Sequence, residues 1–139
     1  DGIRAVVLID VTPIKFEVVR ESRIALSGTI DATLPVPVLT REDMFAEKLL
    51  ANADRFADKS VLSRDVIDLI MMESSWGDIP AGAWKKAEDA YGNSVKAALD
   101  SARVMLKTDR AHFSRCMTNM GIAIDEENRI RRALGIRRK

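Results

Sequence analysis

The sequence predicts an α+β protein in which a strand-rich segment, residues 1–39, precedes a helical region, residues 40–139. Three observations predict it. The β-branched-rich run Ala5-Val6-Val7-Leu8-Ile9 is followed by the period-two stretch Ile14-Lys15-Phe16-Glu17-Val18. From Thr40 onward apolar residues recur at helical spacing, beginning with Phe45, Leu49, Ala53 and Phe56. Gly92, Gly121 and Gly135 then punctuate the remainder where helices would stop.

Taken in order, the unbroken run of residues 5–9 has the pattern of a strand buried on both faces. Val11-Thr12-Pro13 breaks it, and a hairpin to the alternating strand follows naturally. In that second strand Ile14, Phe16 and Val18 share one face, Lys15 and Glu17 the other. Ser27-Gly28 marks a turn, and Leu34-Pro35-Val36-Pro37-Val38 is held extended by its prolines. Thr40 is a good N-cap, with Glu42 and Asp43 in the first turn, where the helix dipole favours acids. A second helix is predicted from Ser63 to about Glu73, then a loop at Trp76-Gly77-Asp78-Ile79-Pro80. Further helices are predicted near 81–91, 94–107, 109–120 and 125–134.

Composition bounds the function. Aromatics are 5% of the 139 residues, so the core rests on Leu, Ile, Val, Ala and six Met. A formal net charge of +1 favours no particular partner. The single cysteine, Cys116, excludes an internal disulfide and fits a reducing, cytoplasmic compartment. No apolar run approaches the ~18 residues that span a bilayer. The chain opens on Asp1, without an initiating Met or a signal-peptide pattern, which predicts that it begins within a longer protein.

Several residues could carry chemistry. On the first helix Lys48 and Arg55 lie about 20° apart around the axis and roughly 10 Å apart along it. Asn52 is near the same stripe. Such cations suit a polyphosphate, or they snorkel from the core edge into solvent. The second helix is apolar nearly all round, through Val66, Ile67, Leu69, Ile70, Met71 and Met72. Yet Asp65 and Asp68 share a strip about 60° wide on it. Buried carboxylates need partners, and Lys48, Arg55 and Arg64 are the candidates. Either a salt-bridge network ties the helices together, or Asp65 faces a substrate pocket beside Lys48. Glu17 and Asp10 each sit between apolar strand residues, as metal-binding carboxylates of phosphoryl-transfer enzymes do, or as solvent-facing acids. No D-x-D pair and no glycine-rich phosphate loop occurs in the chain.

Other features read as ordinary packing. His112 and Cys116 could face one way as zinc ligands, but two donors are too few, and packing beside Phe113 and Met117 explains them better. Trp76 and Trp84 anchor a loop. The basic tail, Arg129-Ile130-Arg131-Arg132 and Arg137-Arg138-Lys139, either complements a helix end or touches RNA phosphates.

The stretch PVLTREDMFAEKLLANADRFADKSVLSRDVIDLIMM resembles the central signature of AbiEii/AbiGii toxin-family nucleotidyltransferases, in which an A-E-K-L-x-A helix precedes an R-D-x-x-D-L helix. The matching residues are Ala46-Glu47-Lys48-Leu49, Ala51, Arg55, Arg64-Asp65 and Asp68-Leu69. The preceding IKFEVVRE resembles the family strand that supplies the third metal-binding carboxylate, at Glu17, and AWKKAEDAYG in the tail is also similar to this group. The resemblance implies the C-terminal strands of a polymerase-β-like nucleotidyltransferase sheet, two to four of them, followed by helices. It implies Mg²⁺ ions, a nucleoside triphosphate donor, and an RNA (transfer RNA among them) or protein acceptor in a bacterial toxin–antitoxin or phage-defence system. By that analogy Glu17, Lys48 and Asp65 are catalytic, Glu17 binds metal, and Lys48, Arg55 and Arg64 bind the nucleotide. The family's upstream G-S and D-x-D segment is missing here, so these residues alone are expected to be inactive. The alternative is a non-catalytic helical module that binds RNA or an antitoxin protein. Self-association through an exposed strand edge is a further expectation.

Overall fold

The computed structural model describes residues 2–137, so Asp1 and the Arg138-Lys139 end of the basic tail lie outside the described residues. Four strands precede six helices: β1 (Gly2–Ile9), β2 (Thr12–Val19), β3 (Gly28–Ile30), β4 (Pro37–Leu39), then α1 (Arg41–Arg55), α2 (Arg64–Trp76), α3 (Ala81–Tyr91), α4 (Ser94–Thr108), α5 (Arg110–Asn119) and α6 (Ile124–Ala133). This is the α+β arrangement expected, strands first and helices after.

β1 and β2 form an antiparallel hairpin in which Val7 faces Ile14, Ala5 faces Phe16 and Arg4 faces Glu17. The two-residue turn places Asp10 at φ 52, a left-handed conformation that Asp tolerates better than most residues. Asp10 is therefore a turn residue, and its reading as a sheet-face carboxylate is corrected. The second difference is burial. The apolar pattern of β1 predicts a strand covered on both faces, whereas every residue of this ribbon is exposed, including Leu8 at 70% and Phe16 at 55%. The ribbon is a two-stranded sheet, so each strand presents an unpaired edge. β3 and β4 form a separate antiparallel pair in which Thr29 faces Val38.

The core lies among the helices, with α1 against α2, α3 and α4. Phe45, Leu49 and Leu50 of α1 meet Ile67 and Leu69 of α2 and Leu99 and Leu106 of α4 within one buried cluster. On α3 the inward positions are Ala83 and Ala87, whose small side chains let that helix approach α1 closely. Thr40 caps α1 by accepting the Asp43 N–H, as the sequence predicts. Gly92 ends α3 at φ 65, which a side chain would resist. Among the described residues no helix is long and apolar enough to cross a membrane.

Asp43 ties the strands to this core. It is fully buried and accepts the Ser27 N–H at 2.5 Å and the Lys86 ammonium, while Lys86 also donates to the Ala25 carbonyl at 3.3 Å. Burial would raise the Asp43 carboxyl, but these donors outweigh it and hold it below the usual carboxylate range.

Candidate functional site

Two turns of α1 and the first turns of α2 build the site. The chain reverses between them through a short 3-10 turn, Lys59–Val61, followed by Leu62 at φ 59 and Ser63 at φ 50. Two consecutive left-handed residues without glycine cost backbone energy, and Ser63 is held by a buried partner, His112, whose Nε2 lies 2.8 Å from its hydroxyl. Arg115 donates to His112 Nδ1 at 3.0 Å, so Nε2 carries the proton and donates to Ser63. Ser63 thus stands where the sequence places an N-cap, yet its hydroxyl makes no cap bond.

This arrangement sets an acid sensitivity. Burial first, then the Arg115 charge, lower the His112 pKa; Asp109 opposes them and Lys59 adds to them. In the unfolded chain the imidazole protonates near its ordinary value of about 6.5. The unfolded state therefore binds more protons just below that pH, and stability is lost as pH falls through the window below ~6.5. We expect unfolding free energy to be flat from pH 7 to 8 and to decline from pH 6.5 to 5. His112→Gln should flatten that decline, and an unchanged decline in the variant would reject His112 as its source.

The reversal sets Asp65 against α1. Arg55 grips it with a fork: Nε donates to Oδ2 at 2.6 Å and Nη2 to Oδ1 at 2.8 Å. Lys48 lies two turns earlier, with its ammonium 3.6 Å from Asp65 Oδ1 and 2.5 Å from Asp68 Oδ2. The four groups differ in exposure: the Asp65 side chain is 3% exposed, Arg55 34%, Lys48 36% and Asp68 41%. Asp65 holds the Arg55 guanidinium above its usual pKa through that hydrogen-bonded fork. Asn52, between Lys48 and Arg55 on α1, is buried, and its Nδ2 meets no acceptor among the described residues.

Lys48 also borders an open groove of about 300 Å³ with Asp68, Met71, Met72, Ser75 and Trp76. Trp76, part of that lining, stands edge-on to Phe45 at 6.0 Å between centroids and lies under the Arg41 guanidinium at 5.2 Å. That packing fits an anchoring role. A larger cavity of about 440 Å³, beneath α6, shares no residue with this groove.

The structure therefore brings Lys48, Arg55, Asp65 and Asp68 together and leaves Arg64 and Glu17 apart from them. Arg64 is exposed and makes no ion pair among the described residues. Glu17 stands on the exposed ribbon, paired with Lys15 at 3.2 Å and Arg4 at 3.3 Å. A hydrogen bond from Lys15 is the main cause holding its carboxyl below the usual range, and Arg64 adds a small pull. Among the described residues no group of three or more His, Cys, Asp or Glu side chains could hold a metal ion. The residues present thus do not fit a divalent-metal site by themselves, and His112, buried, lies against Cys116 with its Nε2 3.5 Å from the Sγ.

Sequence reasoning missed one cluster. Arg23, in the segment after β2, donates to Glu21 at 2.6 and 3.0 Å, to Glu47 at 3.2 Å and to Asp54 at 2.9 Å. The Arg23 hydrogen bonds pull Glu21 down to about 2. Burial, then the Glu21 charge, push Glu47 up. Glu47 belongs to the A-E-K-L match, and its place beside Lys48 was the available signal. Here it clasps the strand-to-helix connection to α1.

Strands that give way to helices, with a Lys–Asp–Arg–Asp network between the first two helices, define a class that the sequence comparison then specifies. A family model described as nucleotidyl transferase AbiEii toxin, Type IV TA system, matches residues 2–134. The chain belongs to this family. No curated protein and no solved structure matches it.

Proposed function

We propose that these residues form the triphosphate-holding half of a nucleotidyltransferase that moves a nucleotide from a nucleoside triphosphate to an RNA, transfer RNA among the candidates, or to a protein acceptor. The observation that carries this reading is Lys48, a groove-lining ammonium held by Asp68 at 2.5 Å and by Asp65 at 3.6 Å, within a chain that matches the family over residues 2–134. Exposed at one side and aimed by two carboxylates, its ammonium can exchange Asp68 for a phosphate oxygen without leaving Asp65 unpaired. Asp65 acts as a positioning residue between Arg55 and Lys48. Arg64, exposed at the start of α2, is free to reach the donor's phosphates. Arg55 has two donors committed to Asp65 and contributes its remaining charge. Asn52 offers a buried amide donor without an acceptor near the same stripe.

Glu17 is the proposed metal-binding carboxylate. The G-S and D-x-D segments of the family pattern do not occur in these residues, so Mg²⁺ at Glu17 requires carboxylates that they do not supply. A toxin role, an antitoxin partner, a cytoplasmic location and self-association through the ribbon edges belong to the same proposal. The 139-residue polypeptide, given labelled triphosphates, Mg²⁺ and transfer RNA, should yield no labelled product. A polypeptide that also carries G-S and D-x-D should label its acceptor. Incorporation by the 139 residues alone would overturn the division of the site, and none by the longer polypeptide would leave the non-catalytic RNA- or antitoxin-binding module as the better reading.

A further inference from the structure

The cavity of about 440 Å³ beneath α6 lies within the ~300–1,000 Å³ range of small-molecule sites. Its walls come from the end of α4, the start of α5, α6 and the segment after it. Four cations line it, Lys107, Arg110, Arg131 and Arg137, against one carboxylate, Glu127. That carboxylate is already spent: Arg131 donates to Glu127 at 2.7 Å while its guanidinium covers the Phe113 ring at 4.5 Å. Lys107, Arg110 and Arg137 then face the cavity with no ion pair among the described residues. A chain with a formal net charge of +1 has concentrated around one concavity three cations that make no ion pair among the described residues.

Apart from the amide of Asn128, the rest of the lining is apolar: Leu106, Phe113, Ile124 and Ile136, and Ile124 is 66% exposed. Cations and an apolar wall in one concavity call for a ligand that combines several negative charges with a less polar part. A single carboxylate would leave two cations unmatched. A phosphate satisfies several donors at once, and arginine forks match its oxygens. The exposed Ile124 face accommodates a base or sugar.

We infer that this cavity is a second nucleotide site, separate from the Lys48 groove, which takes a phosphate-bearing nucleotide through Lys107, Arg110 and Arg137. The inference does not depend on transfer activity, since the two concavities have no lining residue in common. The ligand is a free nucleotide or the terminal nucleotide of a strand, and both present the same phosphates.

The test is calorimetric titration of the 139-residue protein without Mg²⁺, using AMP, ADP, inorganic phosphate and a short single-stranded RNA as separate probes. The variants are Lys107→Gln with Arg110→Gln, Arg137→Gln alone, Lys48→Ala, and the surface control Lys85→Gln with Lys96→Gln. Binding should weaken about tenfold or more in the double variant and measurably in Arg137→Gln, as charge-assisted contacts are removed. It should be unchanged in the control, and the cavity's share should persist in Lys48→Ala, which removes only what the Lys48 groove contributes, with helical circular dichroism constant throughout. Stronger binding of ADP than of RNA identifies a free nucleotide as the ligand; the reverse identifies a strand end. Arg137 follows the last helix, so that variant reports even if the double variant unfolds. The inference is overturned if no probe binds, if Lys48→Ala abolishes binding while the cavity variants do not, or if the control variant loses as much as they do. A failed transfer assay leaves these outcomes untouched, so the two readings fall separately.

Discussion

Arg55→Ala is expected to cost roughly 3–5 kcal/mol of folding stability, because it strips a buried carboxylate of its fork. Asp65 is 3% exposed, and Arg55 donates to both of its oxygens, at 2.6 and 2.8 Å. Once Arg55 is gone the nearest cation is Lys48, at 3.6 Å and already 2.5 Å from Asp68. That residual attraction moves the loss toward the lower end of the range. Arg55→Lys should recover part of it, since a point charge reaches one oxygen but cannot bracket two. Replacing both members, Arg55→Met with Asp65→Leu, should recover most of it, because the desolvation cost of the pair disappears with the pair. Urea denaturation of the four proteins gives the order. A loss of less than about 1 kcal/mol in Arg55→Ala would show that water reaches Asp65 well enough to replace the fork.

This clasp was half legible in the sequence. Helical geometry put Lys48 and Arg55 on one stripe and Asp65 and Asp68 on another, and it named the cations as partners. It could not say which cation takes which acid, because spacing within a helix does not fix the register between two helices. Arg64, adjacent to Asp65 in the chain, looked equally eligible, yet it is exposed and pairs with neither acid among the described residues. The helix limits were legible for a related reason. Residues 81–91 were readable because Pro80 and Gly92 bracket them, and they are the limits of α3. α2 instead runs a turn beyond the predicted stop at Glu73, to Trp76, where edge-on packing against Phe45 at 6.0 Å holds the extra turn. That is a tertiary contact, invisible to periodicity. β1 shows the same limit from the opposite side. Its unbroken apolar run describes the neighbours it would accept, and Ile3, Val6 and Leu8 stand exposed at 66% or more in the ribbon it forms. Arg23 escaped notice because its partners Glu47 and Asp54 lie more than twenty residues away and no local pattern joins them.

Lys48→Ala should separate chemistry from architecture. In a polypeptide competent for transfer, the lost triphosphate contact should lower the rate by about 3–4 kcal/mol of barrier, the scale for a preorganised donor that stabilises developing charge. The stability cost should be on the order of 1 kcal/mol. Two contacts set that contrast. Asp65 keeps its fork to Arg55 at 2.6 and 2.8 Å, so no buried carboxylate is stranded. Asp68, the closer partner at 2.5 Å, is 41% exposed, so water replaces the ammonium. Lys48→Met retains most of the side-chain stem that packs along the α1 rim and should lie closer still to the parent in stability, with activity equally low. Arg55→Ala would show the reverse balance, a large loss of stability and, in the fraction that stays folded, a smaller loss of rate from the drift of Asp65 and the missing Arg55 charge. Thermal midpoint and transfer rate must be measured together on each variant. If the midpoint of Lys48→Ala falls as far as that of Arg55→Ala while its folded fraction keeps full activity, Lys48 is scaffold, and the groove it borders does not hold the triphosphate.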